Sequence, residues 1–235
     1  LKELTPQLKK IEEKLQKILE QIPNIQAFDV PIGKDDSQNV VIKIWGQKPD
    51  FDFKPLDHIK LGEKLDIIDI KKAAKVSGSR FGYFKNQAAV LEMSLMFYVF
   101  QKLTQKGFIS MIPPVMIKAD SELKLGYTNS DNLNNTSYYL SKDNLVFISS
   151  SEHSVVPYHM DEILDAKKLP LKYVNFSPCF RREAGAYGKD TKGIFRVHFF
   201  NKVEMNIFTL PDTKISDAMC KEMLSIQEEI MQELK

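Results

Sequence analysis

The sequence predicts an α+β domain built on a largely antiparallel sheet with flanking helices, and one separate helix ahead of it. Three observations carry this. Short apolar or alternating runs bounded by proline, glycine or asparagine recur at 107–117, 144–149, 173–183 and 194–205 and read as strands. Segments with three- and four-residue apolar spacing, at 86–106 and 211–235, read as helices set apart from those strands. The first residues carry their own helical pattern, which Pro23 ends. The chain thus divides into a helix over 1–22, a proline- and glycine-bearing linker over 23–56 and a main domain over 57–235.

A length of 235 residues is enough to bury a core. Lysine and arginine number 33 against 31 aspartates and glutamates, a formal net charge of +2. The chain is therefore no polycation, and any nucleic acid must use a local basic patch. Cys179 and Cys220 have neither CxxC nor Cys/His spacing, so no disulfide framework, zinc site or other metal centre is expected. The start, LKELTPQLKK, lacks an apolar signal core, and the longest apolar run, near Leu95–Phe100, is too short to span a bilayer. A soluble protein of a reducing, cytoplasmic compartment is expected.

In chain order, Leu8, Ile11, Leu15, Ile18 and Ile22 form a heptad seam, which suits a coiled-coil strand or an amphipathic helix docked on a domain. The linker holds one strand-like run, Val40–Trp45. Helical spacing returns at Leu61–Ile70. Over 86–106, Ala88, Leu91, Leu95, Val99 and Leu103 share one face while Met96, Phe97 and Phe100 spread round the rest, as in a core or interface helix. GFISMIPPVMI at 107–117 reads as a strand broken by Pro113 and Pro114. Asn144–Ser149 reads as a further strand, and the second half of SSSEHSVVPYHMDEIL as helical. The tail at 211–235 is a last amphipathic helix.

Tyr173–Glu183 and Ile194–Met205 read as a hairpin closed by AGAYGKDTKG, with Gly185, Gly188 and Gly193 supplying the turns. Period-two alternation puts Arg196, His198, Phe200, Lys202 and Glu204 on one face of the second strand, and Arg181 with Glu183 on one face of the first. That surface offers arginines for phosphate oxygens, a ring on which a base can lie and carboxylates for amines. The inventory suits a nucleoside triphosphate with an amino compound. A salt-bridged, solvent-facing hairpin fits the same alternation.

Arg-x-Glu, a loop, then FRVHFFNKVE resembles motif 2 of the class II aminoacyl-tRNA synthetases, and CFRREAG with GKDTKGIFR is similar to the seryl-tRNA synthetase version. GFISMIPPVMI resembles motif 1, whose proline falls on Pro114 and which builds the dimer interface in that family. NVVIKIWG, AAKVSGSRFGYF and DEILDAKKLPLKY resemble the family's linker, catalytic-domain entrance and approach to motif 2, and SSSE at 149–152 its Thr-x-Glu serine-binding element, with Ser150 in place of threonine. The helix before Pro23 resembles the returning helix of the family's tRNA-binding coiled-coil arm. Two departures stand out: the outgoing arm helix and anything like motif 3 are not found, so the chain is expected to be a fragment, inactive on its own.

The resemblance implies activation of L-serine by ATP, with its Mg2+, to seryl-adenylate, transfer to tRNA(Ser), and a homodimer. It makes Arg181 the catalytic residue, holding the α-phosphate and aligning the serine carboxylate. Glu183 would accept from the adenine amine, Phe200 stack the ring and Arg196 take the γ-phosphate, with Val197 beside the nucleotide. Ser150, Glu152 and Glu204 would hold the serine ammonium and hydroxyl. Arg182, His198 and His153 are expected to be structural, and Lys189, Asp190 and Lys192 could order over ATP or stay solvated. The alternatives are a paralogue that binds tRNA without charging it, or one that charges a carrier protein.

Overall fold

A computed structural model of the chain describes residues 4–19, 22–23, 25–128, 132–183 and 192–235. It separates into two units, Leu1–Leu56 and Asp57–Lys235.

In the first unit the heptad pattern forms helix α1 (Leu4–Leu19), whose seam residues Leu8, Ile11, Leu15 and Ile18 are all exposed. Beyond it the only regular element among the described residues is a 3-10 turn at Asp36–Gln38, capped where the Asp35 carboxylate accepts from the Ser37 N–H at 3.0 Å. Val40–Trp45 joins no ladder among the described residues, and Ile42 is 88 % exposed. β-prone residues make a strand only where a partner takes up their backbone groups.

The second unit begins with α2 (His58–Lys64), where the Asp57 carboxylate accepts from the Lys60 N–H at 2.8 Å. The helical spacing over Leu61–Ile70 does not make one helix. The chain reverses at Asp66 (φ +51°), forms β1 (Ile68–Asp69), and restarts as α3 (Ile70–Ser77) because Asp69 caps the Lys72 N–H. Buried Gly62 permits the reversal, since a Cβ there would lie 2.8 Å from the Ile68 side chain. Strand β2 (Tyr83–Phe84) pairs antiparallel with β1 and leads into α4 (Asn86–Gln105).

The two prolines divide GFISMIPPVMI between sheets. β3 (Ile109–Met111) precedes them, and β4 (Met116–Lys118) follows in a separate antiparallel sheet with β5 (Tyr139–Leu140) and β6 (Leu145–Phe147), in the order β4-β6-β5. Between β4 and β5 lie α5 (Ala119–Lys124) and α6 (Leu133–Thr136). After β6 the helical stretch comes earlier than the pattern indicates: α7 (Glu152–Val155) runs into a 3-10 turn at Val156–His159, where Pro157 takes an early position, and 160–165 is irregular.

The sheet that positions the site has the order β3-β7-β8, with β7 (Leu171–Phe180) parallel to β3 and antiparallel to β8 (Phe199–Phe208). Register runs from Leu171 opposite Phe208 to Phe180 opposite Phe199. One face carries Val174, Val203, Met205 and Ile207, which pack with Leu103 and Phe108 and with Ile226 and Ile230 of α8 (Thr213–Leu234). Leu103 is 1 % exposed, and truncating a leucine at so closed a position costs about 2–5 kcal/mol. Lys102 of α4 donates to Glu233 (2.7 Å) and pairs with Glu229 (2.7 Å), fastening α8 to α4 above this core. The opposite face is polar: Asn175 and Ser177 of β7 stand across from Glu204 and Lys202 of β8.

The two strands are shorter at the hairpin end than their alternation suggests. One further bond, Arg181 N–H to His198 O at 2.9 Å, extends the ladder before Glu183 turns into the left-handed region (φ +52°), which ends extended backbone. Gly193 (φ +85°) closes the returning side, where a Cβ would meet His58 Nε2 at 1.9 Å, so glycine is required on both counts. Gly185 and Gly188 lie outside the described residues.

Candidate active site

The polar face of β8 meets the loop that leaves β6, and the two make one charged cluster. Glu204 is its hub. Its Oε2 accepts from Ser151 Oγ (2.6 Å), Ser150 Oγ (2.7 Å) and the Glu152 N–H (3.2 Å), and its Oε1 from Lys202 Nζ (2.9 Å). Lys202 also donates to Ser150 Oγ at 2.7 Å. Burial by itself pushes the Glu204 carboxyl up, but the hydrogen bonds from Ser151, Lys202 and Ser150 outweigh it and hold it below the ordinary glutamate value. The carboxylate is ionised and ready for a cation or hydroxyl.

Glu152 follows from the same local turn: the Ser150 hydroxyl accepts from its N–H at 3.2 Å, which starts α7. Burial first, and the nearby Glu152 carboxylate second, raise the pKa of the Tyr127 hydroxyl. Arg181 sits just past the end of β7. Its Nε donates to the Ser149 carbonyl (3.3 Å) and its guanidinium lies 5.0 Å from the Phe200 ring centroid. One step along the hairpin Arg196 and Glu183 form an ion pair with each other, and Arg80 Nη1 donates to the Glu183 carbonyl at 3.1 Å. Two contacts from arginines thus hold Glu183 in its left-handed conformation.

Of the residues singled out from sequence, Ser150, Glu152 and Glu204 are brought into direct contact, and Arg181 joins them through Ser149 and through Phe200. Glu183 and Arg196 meet each other. Val197 is partly buried in the returning segment between Arg196 and His198. Pro114 is exposed in the break between β3 and β4. Arg182 turns away from Arg181 to lie over Tyr138, 5.4 Å from its centroid, and His198 donates from Nδ1 to the Arg181 carbonyl at 2.8 Å. Lys192 is exposed, whereas Lys189 and Asp190 fall outside the described residues.

Cations suited to anionic oxygens and carboxylates suited to an ammonium group lie within one strand pair and one loop. Residues 136–235 match the family model for the tRNA synthetase class II core domain (G, H, P, S and T). Over its 235 residues the chain is 39% identical to the serine–tRNA ligase of Nitrosopumilus maritimus, and over 252 aligned residues 40% identical to that of Thermococcus onnurineus. The crystal structure of seryl-tRNA synthetase from Pyrococcus horikoshii complexed with ATP superposes with a TM-score of 0.92 at 37% identity, covering 99% of this chain. The chain belongs to the seryl-tRNA synthetase family. The cytoplasmic serine–tRNA ligase from Naegleria fowleri in complex with AMP also superposes, with a TM-score of 0.89 at 28% identity. The chain spans about half the length of these family members: 55% and 54% of the two ligases, and 56% and 55% of the two crystallised chains.

Within this seryl-tRNA synthetase fold the structure adds residues that motif reading passes over. Ser151 and Lys202 touch Glu204 directly. Parity had placed Lys202 on the right face, but a lysine two residues from a glutamate on a strand also reads as surface charge. Tyr127 and Arg80 reach the site from segments without a chemical motif, and nothing short of the folded chain brings them there.

Proposed function

We propose that the protein activates L-serine with ATP and transfers the seryl group to tRNA(Ser). The observation that carries this reading is the Glu204 carboxylate held by Ser150 and by the Glu152 N–H, with Glu152 beside it and Arg181 tied to the same loop at Ser149. In the first step a serine carboxylate oxygen attacks the α-phosphorus of ATP. The new P–O bond forms as the bond to the β-phosphate oxygen breaks, giving seryl-adenylate and pyrophosphate. No side chain needs to exchange a proton. Two anions must be held in line, so charge and positioning supply the rate.

Arg181 takes the α-phosphate and the serine carboxylate, since a planar guanidinium can address both. Arg196 exchanges its partner Glu183 for the γ-phosphate, which frees Glu183 to accept from the adenine amine. Phe200 exchanges the Arg181 guanidinium for the adenine face. Glu152 holds the serine ammonium. Glu204 accepts from the serine hydroxyl, with Ser150 beside it, and alanine is disfavoured because it brings no hydroxyl to that carboxylate. Mg2+ would enter with the triphosphate, whose oxygens it neutralises.

The P. horikoshii and N. fowleri relatives support the nucleotide half of this reading, each having been crystallised with an adenine nucleotide. The test is exchange of labelled pyrophosphate into ATP by the full-length gene product. Exchange driven by serine at least roughly 10²-fold better than by alanine is expected, as for a site built to hydrogen-bond a hydroxyl. Exchange driven equally by alanine, or seryl transfer to a carrier protein in place of tRNA, would overturn it.

The exposed seam of α1 supports its role as a helix of a tRNA-binding coiled-coil arm, with 23–56 as linker, since a single apolar stripe needs a partner helix. The cytoplasm is the proposed compartment. Both cysteines are free, and among the described residues no helix is long and apolar enough to cross a membrane. A homodimer is proposed on the apolar groove of α4 lined by Ala89, Val90, Met93 and Phe97, of which Phe97 is 67 % exposed, together with exposed Pro114. Sedimentation of the full-length gene product at micromolar concentration is expected to give a dimer that Phe97→Glu dissociates. A monomeric unaltered protein sinks this part.

A further inference from the structure

Beneath the serine-bearing loop lies a buried group that the proposed reaction does not use. His153 is 2 % exposed and Glu122 1 %. The imidazole Nδ1 lies 2.6 Å from Glu122 Oε2 and Nε2 lies 3.1 Å from Ser149 Oγ, while Glu122 Oε1 also accepts from Ser137 Oγ at 3.3 Å. With Glu122 as a carboxylate, able only to accept, the Nδ1–H donates. The Tyr127 ring stacks on the imidazole, with centroids 4.5 Å apart and planes 11° from parallel.

Each contact leads to a residue that would grip the amino acid. Ser149 is tied to His153 through its hydroxyl, and its carbonyl accepts from Arg181 Nε. Tyr127 rests on the His153 ring, and its hydroxyl lies close enough to the Glu152 carboxylate for that charge to raise its pKa. The histidine therefore stands behind both the cation for the serine carboxylate and the anion for its ammonium.

We propose that Glu122 and His153 are positioning residues for amino-acid binding, acting on Arg181 through Ser149 and on Glu152 through Tyr127. This rests on the serine-activating function proposed above. A buried pair kept only for packing would alter stability alone; a positioning pair shows in serine binding through Glu152 and in turnover through Arg181.

The test measures kcat and the KM for serine and for ATP by pyrophosphate exchange in the full-length gene product, with thermal midpoints alongside. Ser149→Ala and Tyr127→Phe each remove one link and leave the Glu122–His153 pair intact. Tyr127→Phe is expected to raise the KM for serine about 3–10-fold with the KM for ATP within about twofold, and Ser149→Ala, acting through the arginine that faces both anions, to lower kcat about 3–10-fold, each the range of one lost polar contact. His153→Gln is expected to exceed either, and adding Ser149→Ala to it to change little more, because the serine acts through the histidine. Should His153→Gln fail to fold, the two single-link variants decide the matter. Serine and ATP constants rising together in Tyr127→Phe, or a serine KM unmoved there with kcat unmoved in Ser149→Ala, would overturn the positioning role and leave the serine function standing. An unaltered protein without serine-dependent exchange would overturn both.

Discussion

Replacing Arg181 by glutamine is expected to lower serine-dependent pyrophosphate exchange by about 10²–10³-fold, the usual loss when one fixed donor to a developing anion is removed. The loss should fall on kcat more than on either KM, because the guanidinium does most when carboxylate and phosphate are closest. Lysine should not restore it. Its ammonium is a point charge without the planar fork, and it cannot keep the Ser149 carbonyl, lie over the Phe200 ring and face two anions together. Rates for Arg181→Gln and Arg181→Lys, each with saturating serine and ATP, check this. A fall of less than about tenfold in both would remove Arg181 from its catalytic role.

The second large effect is expected at Glu204. Glutamine there keeps the shape but removes the charge on which Lys202, Ser150 and Ser151 converge. Stripping a largely buried ion of its partner costs about 3–5 kcal/mol, and Lys202, with 27 % of its side chain exposed, should stand at the lower end. Exchange activity is expected to fall at least about 10²-fold, with the KM for serine rising and that for ATP nearly unchanged. The substitution should also show in acid. Because the carboxyl is held below its ordinary value of 4.5, its contribution to stability is full above that value and drains away as pH falls through the lower folded value. Urea midpoints followed from about pH 6 down to about pH 3 should therefore fall less steeply in Glu204→Gln than in the unaltered protein. Parallel curves would remove Glu204 from the acid response.

The sequence carried the hairpin and its helices well, for reasons that lie in particular residues. Strand β8 alternates Val203, Met205 and Ile207 with Lys202, Glu204 and Asn206, so periodicity alone assigns its faces. Helices α4 and α8 are long enough for their spacing to be unambiguous. Short elements were not legible in the same way. Over Leu61–Ile70 the apolar spacing spans a reversal that depends on buried Gly62 and on a second aspartate cap, and Val40–Trp45 has strand composition but joins no ladder among the described residues. At the site, Ser150, Glu152 and Glu204 were visible because motif spacing marks them. Glu122 and Tyr127 were not, because a glutamate in a short amphipathic helix and a tyrosine in a loop carry no sign of the histidine they will meet.

The division of β7 and β8 into an apolar and a polar face ties the correctness of the site to the correctness of the fold. A slip of one residue between the strands would turn Lys202 and Glu204 into the packing of α4 and α8 and present Val203 and Met205 to the serine loop. Each charge so displaced would cost several kcal/mol, on the order of the whole stability of a domain. A misregistered hairpin would therefore not persist as a well-folded but inert protein; it would unfold and be cleared. Oil on one side of a single strand acts as the inspector of the chemistry on the other.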